Sequence, residues 1–288
     1  MRPVERLAVA GVGLIGGSFA LALRAAGGVN HVIGIGRDTA NLQRAIELGV
    51  IDEFATAAEA ARRADVFLLA TPVANFRTLF AEIAPALRPE CIVTDVGSTK
   101  RDVIEAARET LGTQFARFVP AHPIAGAEQS GVTAARADLF QAKQLILTPA
   151  ADTDAAALER VRELWRACGA RTSELAAEDH DAIFSAVSHL PHVLAFALVE
   201  MLSRRANAAQ LFSFCGSGFR DFTRIAASSP EMWRDIALAN RDMLTRDLDD
   251  FAAALATLRR ALDAGDAAAL EQLFTAAQQS RAKLNQPC

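Results

Sequence analysis

Along the first half of the chain, short apolar runs alternate with stretches of helical periodicity. The runs Leu7–Ala10, His31–Ile35, Val66–Ala70, Ile92–Asp95, Phe118–Ala121 and Leu145–Thr148 predict strands. The segments near 14–26, 39–48, 75–86, 100–111 and 154–168 predict helices. This alternation is the pattern of a parallel sheet wrapped by helices. From about Ala177 the strand pattern stops and the rest of the chain reads as helix. Leu244, Leu248, Phe251, Leu255, Leu258 and Leu262 recur at spacings of four and three, a narrow apolar stripe that calls for a second helix. Gly265-Asp266 then breaks and restarts the chain, with Asp266 placed to cap the last helix. The expected organisation is an α/β domain over 1–176 and an all-α domain over 177–288.

Two uncharged stretches bear on a membrane or export reading. Leu7–Leu23 is 17 residues long and follows two arginines, as a signal peptide would, but it contains four glycines. Ala182–Val199 is 18 residues long and approaches spanning length, yet it carries Ser185, Ser188, His189, Pro191 and His192, polar groups that are costly in hydrocarbon. It is expected to be a helix buried within the helical domain, with no membrane partner. The 288 residues suffice for two domains, and 51% hydrophobic against 22% charged residues places the chain in the folded, globular range. A formal charge of −4, without a dense Lys/Arg run, argues against nucleic acid as partner. Four scattered cysteines with no CxxC pair fit reduced thiols in a cytoplasmic protein.

The candidate chemistry starts where the first strand runs into Gly11-Val12-Gly13-Leu14-Ile15-Gly16 and a helix. Gly11 allows the tight turn, Gly13 lets backbone approach a pyrophosphate, and Gly16 lets the helix pack on the strand. The helix N-terminus, at Leu14 and Ile15, offers free N–H donors. Thr71 and Pro72, just past the Val66–Ala70 run, join this loop as cofactor-site candidates. At the end of the second strand an NAD-binding pattern would carry an acid, but the chain reads Gly36-Arg37-Asp38. Arg37 could clamp a 2′-phosphate and favours NADP over NAD; alternatively Arg37 is a surface residue and Asp38 serves the ribose.

Polar clusters follow later strands. In Asp95-Val96-Gly97-Ser98-Thr99-Lys100 the side chains fall at the sheet's carboxyl edge, where open α/β folds bind ligands, although Ser98 or Thr99 could simply cap the next helix. His122, in HPIAGAEQSG, could take a proton from a substrate hydroxyl while hydride leaves carbon. Asp179-His180-Asp181 and Ser188-His189-Leu190-Pro191-His192 hold three of the five histidines. They lack a third ligand of metal-site spacing, so His180 reads as a capping or core residue and His189 and His192 as pocket residues. Asp221 and Arg224 could be an i, i+3 ion pair, and an arginine in a closed cleft is also a receptor for a carboxylate.

Taken in order, GVGLIGGS (11–18), DVGSTK (95–100), HPIAGAEQSG (122–131), SHLPH (188–192) and FRDFTRIAASSPEMW (219–233) resemble the prephenate/arogenate dehydrogenase family of tyrosine biosynthesis. The resemblance implies an N-terminal Rossmann-like dinucleotide-binding domain over 1–176, an all-helical substrate and dimerisation domain over 177–288, oxidative decarboxylation of prephenate and/or L-arogenate, and a homodimer formed through the C-terminal helices. Hydride leaves the ring carbon bearing the 4-hydroxyl, the hydroxyl proton is lost, and carbon dioxide departs as the ring becomes aromatic. It implies His122 as acceptor for the 4-hydroxyl and Ser98 as a hydrogen-bonding neighbour of that hydroxyl and the nicotinamide. Arg224 would bind a carboxylate, and His192 with His189 would contact the side-chain end. Glu128 and Asp221 would gate Arg224, and Trp233 would form a wall, in its own subunit or across the dimer. The chain also leads to the expectation of no fused chorismate mutase and no C-terminal sensing domain. A β-hydroxyacid dehydrogenase would share the layout but should carry a lysine in the long interdomain helix, and 179–199 has none. A non-catalytic nucleotide sensor would have no need of Ser98, His122 and Arg224 together.

Overall fold

Strand β1 (Val4–Ala10) sends Leu7 and Val9 to one face of the sheet and Ala8 and Ala10 to the other, and all four are buried. A strand covered on both faces reads as continuous hydrophobic sequence instead of an alternation, which explains the runs seen in the chain. The computed structural model describes residues 2–127 and 129–284. After β1 come β2 (Val29–Ile35), β3 (Glu53–Phe54), β4 (Val66–Leu69), β5 (Ile92–Asp95) and β6 (Phe118–Val119). These form a parallel six-stranded sheet in the order β3-β2-β1-β4-β5-β6. That is the doubly wound order in which ligands sit outside the carboxyl ends of the strands. Leu7, Val9, Phe19, Leu68 and Trp165 pack in the core on one face; Ala8, Ile33, Phe67, Phe80 and Phe118 pack on the other.

The expected strand Phe118–Ala121 is two strands. Pro120 has no N–H and cannot continue a ladder, so the chain leaves β6 and begins β7 (Ala121–Pro123) in a second sheet. There β7 pairs antiparallel with β8 (Gln144–Leu147), and β8 pairs parallel with β9 (Arg171–Glu174). The sequence gives no sign of β9, because this edge strand reads Arg-Thr-Ser-Glu and buries none of its side chains. The helices fall where expected: Leu14–Ala25, Thr39–Glu47, Phe76–Ile83, Arg101–Thr110 and Ala155–Ala167. One more, Ala57–Ala61, is nucleated by a capping box between Thr56 and Glu59.

Beyond Ala177 the described residues are helical. Ala177–Phe184, a wide π turn over Ser185–His189 and Leu190–Ser203 run as one rod. The π turn ends two residues before Pro191, whose missing N–H loosens the ladder at that point. By length and composition alone this rod could cross a membrane. It is not the buried helix expected: Ile183, Val187 and Met201 are exposed, and within Leu190–Ser203 only Ala195 is fully buried. Only the face carrying His180, Asp181, Phe184, Ser185 and His189 is enclosed by the chain itself.

By packing, the chain divides into a unit of residues 1–240 and a unit of residues 241–288. Residues 177–240, helical as expected, therefore belong to the same packing unit as the nucleotide-binding fold. In the second unit the helices Arg241–Asp263 and Ala267–Lys283 form a hairpin. It turns at Gly265 (φ +64°), and the Asp266 carboxylate accepts from Ala269 N at 3.0 Å. Leu255 and Leu262 of the apolar stripe stay exposed.

Candidate active site

The glycine loop has the geometry of a phosphate cradle. Gly11 sits at φ +96°, and a Cβ there would lie 2.4 Å from the Ala70 carbonyl oxygen and 2.8 Å from Thr71 N. Only glycine lets β1 and the Thr71-Pro72 turn approach so closely. At Gly16 a Cβ would lie 2.3 Å from the Gly11 carbonyl oxygen, so helix and strand meet through this residue. At Gly13 nothing lies within 4 Å, and no side chain caps the helix that begins at Leu14. The helix N-terminus, with Leu14 and Ile15 in its first turn, therefore presents its N–H groups to open space, which suits a pyrophosphate. Asn41, which carried no motif, braces the loop: Nδ2 donates to Val12 O at 2.8 Å and Oδ1 accepts from Val132 N at 3.2 Å. Past β2, Arg37 is exposed and makes no ion pair among the described residues, while Asp38 Oδ1 caps the next helix by accepting from Ala40 and Asn41 N.

At the end of β5 the Asp95 carboxylate is wholly buried. It accepts from Gly97 N at 2.7 Å, from Ala121 N at 3.0 Å and from the Lys100 ammonium, itself fully buried. Lys100 Nζ also donates to Ala121 O at 2.9 Å. Asp95 and Lys100 thus hold both polar groups of Ala121, the residue before His122, and pin β7 to the sheet. Neither Ser98 nor Thr99 caps the helix Arg101–Thr110. Its N-terminus is instead capped across the fold by Asp181, which accepts from Lys100 N at 2.8 Å and Arg101 N at 2.9 Å.

Asp181 also accepts from Arg101 Nε at 3.2 Å and from His180 Nδ1 at 2.8 Å, and His180 Nε2 lies 2.9 Å from His122 Nδ1. Phe184 packs on both imidazoles, with ring centroids 4.9 Å from His122 and 4.6 Å from His180. Burial would raise Asp181, but hydrogen bonds from His180 and from the Arg101 and Lys100 backbones hold its carboxyl below the ordinary range. Burial, then the neighbouring His180 and Lys100, push His122 well below 6.5, so the ring is neutral at physiological pH.

Asn240 is the other buried organiser. Its Oδ1 accepts from Arg101 Nη2 at 2.9 Å, which turns Nδ2 towards Asp181 O at 2.8 Å and His189 Nδ1 at 3.2 Å. Arginine can only donate, so the amide orientation is fixed, and the His189 proton is on Nε2. Burial lowers His189 to about 4, although the Asp181 charge and a hydrogen bond to the Ser98 backbone favour its protonated form. His192 donates Nδ1–H to Ser188 O at 2.8 Å and stacks on Trp233 at 3.7 Å between centroids, 19° from parallel. Trp233 is thus a wall beside His192 and His189 of its own chain. Burial lowers His192, and so does the nearby positive charge of Arg224.

The fold therefore brings Ser98, His122, His189, His192, Trp233 and Arg224 to the carboxyl edge of the sheet and the first turns beyond it. Asp221 is exposed and makes no ion pair among the described residues, so the i, i+3 pair with Arg224 does not form. Glu128 lies outside the described residues. Sequence reasoning missed Asp95, Lys100, Asp181 and Asn240 as organisers and gave His180 no partner. DVGSTK and DHD mark most of these residues, but nothing in the sequence indicates that they meet.

A family described as "Prephenate dehydrogenase, nucleotide-binding domain" matches residues 19–174, and "Prephenate dehydrogenase, dimerization domain" matches 176–276. The chain belongs to the prephenate dehydrogenase family. It is accordingly an oxidoreductase of tyrosine biosynthesis that binds a nicotinamide dinucleotide. It is 37% identical to the prephenate dehydrogenase of Bacillus subtilis over 96% of this chain and 75% of that one. It is also 37% identical to the cyclohexadienyl dehydrogenase of Zymomonas mobilis, over 99% and 97%. Among solved structures, the Aquifex aeolicus prephenate dehydrogenase in complex with hydroxyphenyl propionate and NAD+ superposes with a TM-score of 0.91 at 35% identity, covering 98% of each chain.

Proposed function

We propose that this enzyme oxidises and decarboxylates prephenate, L-arogenate or both, with NADP+ favoured over NAD+, as a cytoplasmic homodimer. The observation that carries the reading is a neutral, half-buried His122 whose Nδ1 is occupied by His180, leaving Nε2 as its remaining acceptor, in the strand that Asp95 and Lys100 pin at the end of β5. The open space at Gly13 and the uncapped helix N-terminus fit a dinucleotide pyrophosphate, held by Gly11, Gly13, Leu14, Ile15 and Gly16 with Thr71 and Pro72 alongside. When bound, the nicotinamide supplies the hydride acceptor. His122 Nε2 accepts the 4-hydroxyl hydrogen, draws it as C4 is oxidised, and returns it to the phenolate oxygen formed when carbon dioxide leaves, so no net proton is released. Ser98 orients the hydroxyl. Arg224 binds a carboxylate, with Glu128 and Asp221 as its gate, while His192 and His189 meet the side-chain end against Trp233.

NADP+ is favoured because Gly36 places no carboxylate where a 2′-phosphate would lie, Arg37 is exposed without an ion-pair partner among the described residues, and Asp38 is engaged in capping. The functional division falls at 176/177, with Ser98 and His122 on the nucleotide-binding side and the carboxylate, side-chain and dimer contacts on the helical side. The dimer reading rests on the apolar side chains left exposed there, Val187, Leu255, Leu262 and Phe274 among them.

Reduction of each cofactor followed spectrophotometrically with prephenate and with L-arogenate tests the assignment. Turnover with one of the substrates supports it, and no turnover in any of the four combinations overturns it. In the same assay Arg37→Ala is expected to lower kcat/KM for NADP+ roughly 10–100-fold, the worth of one charge-assisted hydrogen bond, and to leave NAD+ nearly unchanged. Equal losses with both cofactors would refute the role of Arg37.

A further inference from the structure

The three side chains Asp181, His180 and His122 form an unbranched line of hydrogen bonds, and its directions follow from chemistry at one end. Asp181 accepts from Lys100 N, Arg101 N and Arg101 Nε as well as facing His180 Nδ1. A carboxylate surrounded by donors is ionised and can only accept. His180 therefore carries its proton on Nδ1, which leaves Nε2 a lone pair. That lone pair faces His122 Nδ1 at 2.9 Å, so in the neutral pair His122 must donate from Nδ1. Its Nε2 is then bare.

We propose that Asp181 and His180 act as a positioning relay that locks His122 in the Nδ1–H tautomer, so that its Nε2 is always the acceptor. The inference rests on the reading of His122 as the proton acceptor and deepens it: an isolated neutral histidine side chain favours the opposite tautomer, with the proton on Nε2, which would offer the substrate hydroxyl a donor. The relay also has an electrostatic use. When Nε2 takes the hydroxyl proton, the positive charge on His122 lies one imidazole away from the Asp181 carboxylate, and the Nδ1–H bond to His180 strengthens. Lys100, on the sheet side, opposes that charge, with Asp95 as its counter-ion; His189, from the long helical rod, opposes it weakly because it is itself neutral. Phe184 keeps water from competing for the two inner nitrogens.

The test couples a tautomer measurement with kinetics on the whole enzyme. In 15N NMR of histidine-labelled protein at neutral pH, with His122→Asn used for assignment, His122 should show a protonated Nδ1 and an unprotonated Nε2. His180→Phe keeps a ring of similar size but removes the acceptor. It should lower kcat roughly 10–100-fold, a share of the loss expected for a misdirected general base, with KM and cofactor Kd within about twofold. It should also return His122 to a mixture of tautomers. His180→Gln, whose amide oxygen can accept from Nδ1, should recover part of kcat, and carries the kinetic test should the Phe variant fail to fold. A wild-type His122 protonated on Nε2, or an unchanged kcat in folded His180→Phe, overturns the relay. Full activity in His122→Asn would instead overturn the proton-acceptor reading, whatever the tautomer.

Discussion

Replacing His122 by Asn is expected to lower kcat about 10²–10⁴-fold, the usual contribution of a positioned general base. Cofactor affinity should be unchanged, because no part of the glycine loop depends on the ring. Asn at this position can still form a hydrogen bond but cannot take up a proton, so the loss should fall on kcat more than on KM. The pH profile supplies a second reading of the same residue. His122 is pushed well below 6.5 by burial and by His180 and Lys100, so wild-type kcat/KM should stay level down through pH 6.5 and fall only at lower pH. The sign for stability agrees: a histidine buried neutral binds its proton more readily unfolded, so its contribution is complete above about 6.5 and is lost as pH falls towards the folded value. Unchanged turnover in His122→Asn, or an acid limb at or above 6.5 that the variant retains, would remove His122 from the chemistry.

The second large effect is expected from Lys100→Met. Lys100 and Asp95 are both 0% exposed, and the ammonium joins the Asp95 carboxylate to the carbonyl of Ala121. Removing it leaves a buried carboxylate without a counter-charge and a carbonyl without its donor. The cost should be about 3–5 kcal/mol, which for a chain of this size lowers Tm by roughly 10 °C in a thermal unfolding scan. Adding Asp95→Asn to Lys100→Met should recover part of that loss, because the uncompensated charge then disappears. A Tm within about 2 °C of wild type would show that Asp95 keeps its stabilisation from the Gly97 and Ala121 N–H groups alone. Activity should fall with stability, since the segment released begins one residue before His122.

How far the sequence led can be judged from these same residues. The glycine loop is a local device, a strand, a turn and a helix contiguous in the chain, in which Gly16 meets the Gly11 carbonyl and Gly13 leaves open space, so GVGLIGGS specified it and the structure agrees. The parallel sheet was legible because strands covered on both faces are hydrophobic throughout. The Asp266 cap and the helical character beyond Ala177 were legible for the same reason, as signals carried within a few residues. Burial of the rod at 177–203 was not, because hydrophobic composition says that a face will be covered and not by what; Val187 remains 66% exposed in the single chain.

By itself the sequence determined the α/β and helical halves, the cofactor loop and the types of residue available for proton transfer and carboxylate binding. Tertiary structure alone decided which of them meet. His122 and His180 are 58 positions apart, Lys100 and Asp181 are 81 apart, and Arg101 and Asn240 are 139 apart. Hydrogen bonds of that span leave no periodicity, because each partner satisfies only its own local helix or strand pattern. Their directions, and with them the nitrogen of His122 left to accept a proton, exist only once the buried donors and acceptors have been paired.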